Sequence, residues 1–136
     1  MREKPLVLLV DDSPEFKEII SAKLVAAGYE IAEGSNGAEG ISKAKALKPD
    51  LIIMDIEMPD VNGTEAALEI KNNPDTANVP LVFFSSLDKP WPGMVGADRA
   101  EVAKQLGAVT FLSKGDDMTK ILQTILEHTK KEQAPK

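Results

Sequence analysis

Leu51-Ile52-Ile53-Met54-Asp55-Ile56-Glu57-Met58-Pro59 decides the fold. Four apolar residues run directly into one aspartate, and a turn follows. An apolar run this short reads as a strand buried on both faces, as in parallel sheets. Asp55 then stands at the carboxyl end of that strand. Open α/β sheets bind their ligands at that edge.

Working outward, Pro5 to Val10 is a second such run and ends in Asp11-Asp12-Ser13-Pro14. A helix opens near Pro14, because proline is tolerated in a first turn. Phe16, Ile19, Ile20, Leu24 and Ala27 form its expected apolar face, and Gly28 ends it. Tyr29 to Gly34 reads as a short strand. Asn36-Gly37 turns into a helix whose expected stripe is Ala38, Ile41, Ala44 and Leu47. After the Asp55 strand, a helix spans about Thr64 to Lys71, with Ala67, Leu68 and Lys71 in register. Val79 to Phe84 is a fourth strand, ending in Ser85-Ser86. Leu87 to Ala97, with two prolines, two glycines and Trp91, is an irregular loop. A short helix over 98–106, a strand from Ala108 to Ser113 and a helix from about Asp116 to Lys130 complete the chain. Residues 1–131 form one domain and 132–136 a flexible tail.

Strands alternating with helices imply an α/β fold, a doubly wound five-stranded parallel sheet with five helices on both faces. Periodicity does not reveal strand order; the flavodoxin-like order 2-1-3-4-5 is the usual solution at this size.

Composition excludes several function classes. The 136 residues carry a net charge of -6, which disfavours direct binding to nucleic acid or anionic membrane. There is no cysteine, so disulfides, thiolate metal sites and thiol catalysis are absent. The apolar run Leu6 to Val10 is too short for a signal-peptide core or a membrane span. A cytoplasmic protein is the expectation.

Polar groups stand at four strand ends: Asp11 and Asp12, Asp55, Ser85, and Lys114. Parallel strands bring their carboxyl ends to one edge, so neighbouring strands would gather these groups in one pocket. Carboxylates a few ångströms apart repel unless one is protonated or a cation sits among them. Oxygen ligands alone suit a hard cation such as Mg²⁺. Carboxylate, Mg²⁺, hydroxyl and lysine are a set of parts for phosphoryl transfer, with the aspartate as nucleophile.

Four segments together resemble the receiver domains of two-component response regulators, including the stand-alone chemotaxis type. They are Val10-Asp11-Asp12-Ser13; Met54-Asp55-Ile56-Glu57-Met58-Pro59 with Gly63; Val79 to Ser86; and Gly107-Ala108 with Phe111 and Lys114. The resemblance implies that Asp55 is the phosphoacceptor. It implies that Asp12, Asp55 and the backbone carbonyl of Glu57 hold Mg²⁺, with Asp11 helping through water. Ser85 and Lys114 would bond the phosphoryl oxygens, and Phe111, with Ser85, would be a switch residue. The partners implied are a sensor histidine kinase or histidine phosphotransfer protein and a downstream protein target. The domain would be a monomer or a phosphorylation-linked dimer, and no enzyme beyond assisting its own phosphorylation and dephosphorylation. Phosphorylation would alter the surface of the 98–106 helix, the last strand and the last helix. No output segment follows that helix, so direct DNA binding is not expected of this chain.

Three departures from the family pattern support an alternative, a degenerate receiver acting as a phosphorylation-independent interaction module. Ser86 stands where Ala or Gly is commoner, Gly115 replaces a proline after Lys114, and the Trp91 loop is long. A phosphatase on a related sheet would need Asp-x-Asp after the first strand, which is missing. A flavin module would need a phosphate-binding loop there. Each site residue also has a plain structural reading. Asp12 with Glu15 makes a capping box for the first helix. Ser85 can simply end a strand, Lys114 can be a solvated lysine, and Phe111 can be core. Trp91 is a loop anchor or a partner contact, and His128 is a solvated residue of the last helix.

Overall fold

A computed structural model describes residues 4–56, 63–85, 108–113 and 117–133. The strands are β1 (Leu6–Val10), β2 (Glu30–Gly34), β3 (Leu51–Asp55), β4 (Leu81–Ser85) and β5 (Thr110–Ser113). They pair in parallel in the order β2-β1-β3-β4-β5. The helices are α1 (Pro14–Ala26), α2 (Gly37–Leu47), α3 (Gly63–Asn72) and α4 (Met118–Gln133). The helix expected over 98–106 and the loop carrying Trp91 lie outside the described residues.

The two-residue period of a strand sorts the apolar runs onto two faces. Leu8, Val10, Ile52, Met54, Leu81 and Phe83 share one core with Ala44 of α2 and Ala66, Ala67 and Ile70 of α3. Val7, Leu9, Leu51, Ile53, Val82 and Phe84 share the other with Ile20 and Leu24 of α1 and Ile121 and Ile125 of α4. Every residue of β1 and β3 is buried, which is why their sequences are continuous rather than alternating. Leu6 N–H donates to Asp50 Oδ2 at 2.8 Å, and Asp50 N–H returns a bond to the Leu6 carbonyl, also at 2.8 Å. This pair sets β1 against β3 at their starts.

The helices bury narrower stripes than the sequence suggests. In α1, Ile20 and Leu24 are buried, whereas Ile19 is 52% exposed and Ala27 is exposed. Ile19 lies 100° around the helix from Ile20, beyond the strip the sheet covers. In α2 the expected Ala38 and Leu47 are exposed, and Gly37, Gly40 and Ala44 form the buried face. In α3, Leu68 is exposed and Ala66 and Ile70 are buried beside Ala67. Lys71 instead turns its ammonium to the carbonyls of Ala77 (3.1 Å) and Val79, fastening the loop into β4. Burial lowers its pKa from the ordinary lysine value.

Element ends also shift. Pro80 has no N–H to give, so β4 starts at Leu81 rather than Val79, although the Pro80 carbonyl accepts from Ile52 N–H. The last helix runs on to Gln133. α1 ends in a Schellman motif: Tyr29 N–H donates to Leu24 O and Gly28 N–H to Val25 O, both at 3.0 Å. Gly28 has φ +100°, and Tyr29 packs into the same core as Leu24. The Tyr29 hydroxyl then shares a 2.8 Å hydrogen bond with buried Thr129 of α4.

Gly40 sets how closely α2 approaches the sheet. A Cβ there would stand 3.0 Å from both Val10 methyls and 3.5 Å from Met54 Cε. Gly40→Ala gains up to about 1 kcal/mol of helix propensity but overpacks the core by about 1–3 kcal/mol. It is expected to lower the urea midpoint, and to cost less alongside Val10→Ala, which makes room. Gly28→Ala meets no atom within 4 Å, so its cost is backbone strain of about 1–2 kcal/mol. It should add independently to Val10→Ala. Equal coupling of both glycine variants to Val10→Ala would contradict this account.

Candidate functional site

The sheet register builds the site. Val10 pairs with Gly34 on one side and Met54 on the other. The next residue on each central strand is an aspartate, so Asp11 and Asp55 emerge side by side. Asp11 is held by its N–H, which donates to the Gly34 carbonyl at 3.0 Å. Asp55 is the last residue of β3, in register with Phe84, and the Phe84 carbonyl accepts from Ile56 N–H at 3.0 Å. Asp11 is fully buried and Asp55 is 3% exposed, while Asp12 is exposed.

The start of α1 shapes the turn that carries Asp11 and Asp12. Ser13 is the N-cap, with extended backbone, and its Oγ accepts from Phe16 N–H at 3.2 Å. Ser13 N–H donates to Asp11 Oδ1 at 2.8 Å. The capping box expected of Asp12 and Glu15 therefore does not form, because Pro14 is the first helical residue and places the cap at Ser13. The carboxylate of Asp12 belongs to the acidic cluster instead.

Carboxylate oxygens of Asp11, Asp12 and Asp55 all lie within 4.8 Å of one another. Oxygens around an octahedral Mg²⁺ at about 2.0–2.1 Å stand roughly 3–4 Å apart. The 4.8 Å limit on the three acids is of that order, so the cluster is compatible with a single ion held among them. The donors are oxygens only, the set a hard cation prefers. Like charges so close repel, and two of these acids are withdrawn from water, so a divalent cation would relieve the strain. The single histidine, His128, is half-buried on α4 with Nδ1 2.8 Å from the Thr124 carbonyl, rather than solvated.

The other expected site residues are placed less fully. Ser85 ends β4 in register with Ser113, which ends β5, so both backbones reach the edge that carries Asp55. Phe111 is half-buried, pairs with Phe83 and packs against the core under α2 and α3. Lys114, Glu57, Ser86 and Gly115 lie outside the described residues. A residue that sequence patterning passed over is Lys17. It interrupts the apolar face of α1, yet its side chain is buried and its Nζ donates to Ser35 Oγ at 2.8 Å.

Comparison with known proteins agrees with this architecture. The family model described as response regulator receiver domain matches residues 7–126. Protein PilH of Pseudomonas aeruginosa is 31% identical over 119 residues, covering 88% of this chain and 93% of PilH. Other relatives are longer, and the chain spans 47% and 34% of the length of two of them. Among solved structures, the Vibrio cholerae chemotaxis protein CheY4 superposes with a TM-score of 0.78 at 26% identity, covering 91% of this chain and 98% of CheY4. The receiver domain of a Pseudomonas aeruginosa sensor histidine kinase gives 0.78 at 24% identity, covering 93% and 98%. That structure holds a magnesium ion coordinated in its active site cleft, and at this identity the likeness is one of fold. Among the described residues no helix is long and apolar enough to cross a membrane. Sheet order, acidic edge and family match together place this chain among the receiver domains of response regulators in two-component signalling.

Proposed function

We propose that this receiver accepts a phosphoryl group on Asp55. The observation that carries the reading is the convergence of Asp11, Asp12 and Asp55 at the carboxyl edge of the central strands. Asp55 ends the middle strand of the five, a strand paired with β1 on one side and β4 on the other, and Asp55 itself is in register with Phe84 of β4. A nucleophile needs a fixed position more than it needs mobility.

The donor is a phosphohistidine on a sensor histidine kinase or a histidine phosphotransfer protein. A carboxylate oxygen of Asp55 attacks phosphorus, the P–N bond to the donor imidazole breaks, and the phosphoryl group becomes an aspartyl phosphate. Water later cleaves the aspartyl phosphate and restores the carboxylate. Asp12, Asp55 and the Glu57 carbonyl would hold Mg²⁺, with Asp11 acting through water. Bound there, the ion would supply charge neutralisation for the phosphoryl oxygens. Ser85 would donate a hydrogen bond to one phosphoryl oxygen and Lys114 to another.

Phosphorylation adds charge and acceptor oxygens at a strand end. Each charge-assisted bond that Ser85 and Lys114 gain is worth roughly 1.5–3 kcal/mol. Two of them suffice to bias a two-state equilibrium of a few kcal/mol. The changed surface would comprise residues 98–106, β5 with Phe111, and α4, and a downstream protein in the cytoplasm would read it. The chain would assist its own phosphorylation and dephosphorylation and catalyse no other reaction.

Intact mass after incubation with Mg²⁺ and a small-molecule phosphodonor should show one added phosphoryl group. Asp55→Asn should show none; a labelled mutant would remove Asp55 from this role. Saturating Mg²⁺ at about 100 times its Kd should stabilise the fold by about 2.7 kcal/mol, and a chelator should reverse it. Asp12→Asn should remove most of that gain, and an undiminished gain would exclude Asp12 as a ligand. Lys114→Ala should still take up phosphate but lose most of the accompanying amide-resonance shifts in β5 and α4. Full retention of those shifts would separate Lys114 from the response.

A further inference from the structure

Four hydrogen bonds close a ring around Asp11. Asp11 N–H donates to the Gly34 carbonyl at 3.0 Å. Ser13 N–H donates to Asp11 Oδ1 at 2.8 Å. Lys17 N–H donates to the Ser13 carbonyl at 3.1 Å. Lys17 Nζ donates to Ser35 Oγ at 2.8 Å, and Ser35 follows Gly34 in the chain. Three members are backbone bonds or local to the α1 cap; the Lys17–Ser35 bond joins two side chains from different elements.

That bond ties α1 to the entry of α2 across the end of β2. Ser35 N–H donates to Glu39 Oε1, and Asn36 Oδ1 caps Glu39 N–H, each at 2.8 Å. Ser35 is thus already part of a stiff turn, and Lys17 anchors that turn to the first turns of α1. The Lys17 side chain is 7% exposed, and its hydrogen-bond partner is an uncharged hydroxyl. Burying an ammonium on a neutral acceptor is a poor source of stability. An apolar side chain of similar length would pack there at lower desolvation cost. What it lacks is the means to hold Ser35.

We infer that Lys17 is a positioning residue for the acidic site: by closing the ring through Ser35 it fixes the turn bearing Asp11 and Asp12, and with it the affinity for a divalent cation. This rests on the reading of that cluster as a Mg²⁺ site. Groups that orient metal ligands from behind typically change affinity by about 10–100-fold when removed. A charge effect alone has the opposite sign, since deleting a cation near three carboxylates would tighten Mg²⁺ binding.

Calorimetric titration of the full chain with Mg²⁺ separates these cases. Lys17→Met and Ser35→Ala should each weaken binding roughly tenfold. The double variant should bind no worse than either single one, because both break the same ring. Lys17→Arg should restore most of the affinity. In the Mg²⁺-free protein, the amide resonances of Asp11 and Ser13 should shift in Lys17→Met and return toward wild type in Lys17→Arg. Should Lys17→Met fail to fold, Ser35→Ala carries the test, since Ser35 is exposed. Unchanged or tighter Mg²⁺ binding in the single variants, or full additivity in the double, overturns the positioning role alone. A wild type that binds no Mg²⁺ overturns the cation-site reading and this inference with it.

Discussion

A strand covered on both faces has nowhere but its ends to place a polar side chain. β1 and β3 are buried along their whole lengths, and the core continues through β4. An unpaired carboxylate in the middle of any of them would cost several kcal/mol. Chemistry is therefore displaced to the rim, and parallel pairing assigns all carboxyl ends to one rim. The acidic site follows from this arrangement. β1 and β3 are paired neighbours at the centre of the sheet, and each is followed or ended by aspartate in the same register.

The surrounding helices turn that rim into a defined geometry. Pro14 and Ser13 fix where α1 begins, and the same Ser13 uses its N–H to hold the Asp11 carboxylate. Gly40 lets α2 lie against Val10, the residue before Asp11. At the opposite rim, the Schellman turn at Gly28 and the Tyr29–Thr129 bond join α1, β2 and α4. The edge contacts between Phe16 and Phe84, with ring centroids 5.1 Å apart, link the first turns of α1 to the strand beside Asp55. Packing and site geometry are thus carried by the same residues, so a change in either is felt by the other.

Much of this is legible in the amino-acid sequence. Continuous apolar runs ending in aspartate mark two-sided strands, and parallel pairing then brings Asp11, Asp12 and Asp55 to one rim. Helix faces were less legible. Periodicity ranks Ile19 and Leu68 with their buried neighbours, whereas the sheet covers a strip only one or two side chains wide. Lys17 is the converse case: its charge argues for solvent, and its long stem lets it lie buried with the ammonium on Ser35.

The chain by itself determined the class of fold, the direction of the sheet and the residue types at its rim. Those depend on local period and on where polarity breaks an apolar run, which are properties of adjacent residues. Tertiary structure decided the strand order that makes β1 and β3 neighbours, the 4.8 Å convergence of three acids, the cap at Ser13 and the ring through Lys17. These depend on which distant segments meet, as Gly34 meets Asp11 and Ser35 meets Lys17. No local period encodes such meetings, because they are selected by burial on both faces of the sheet at once.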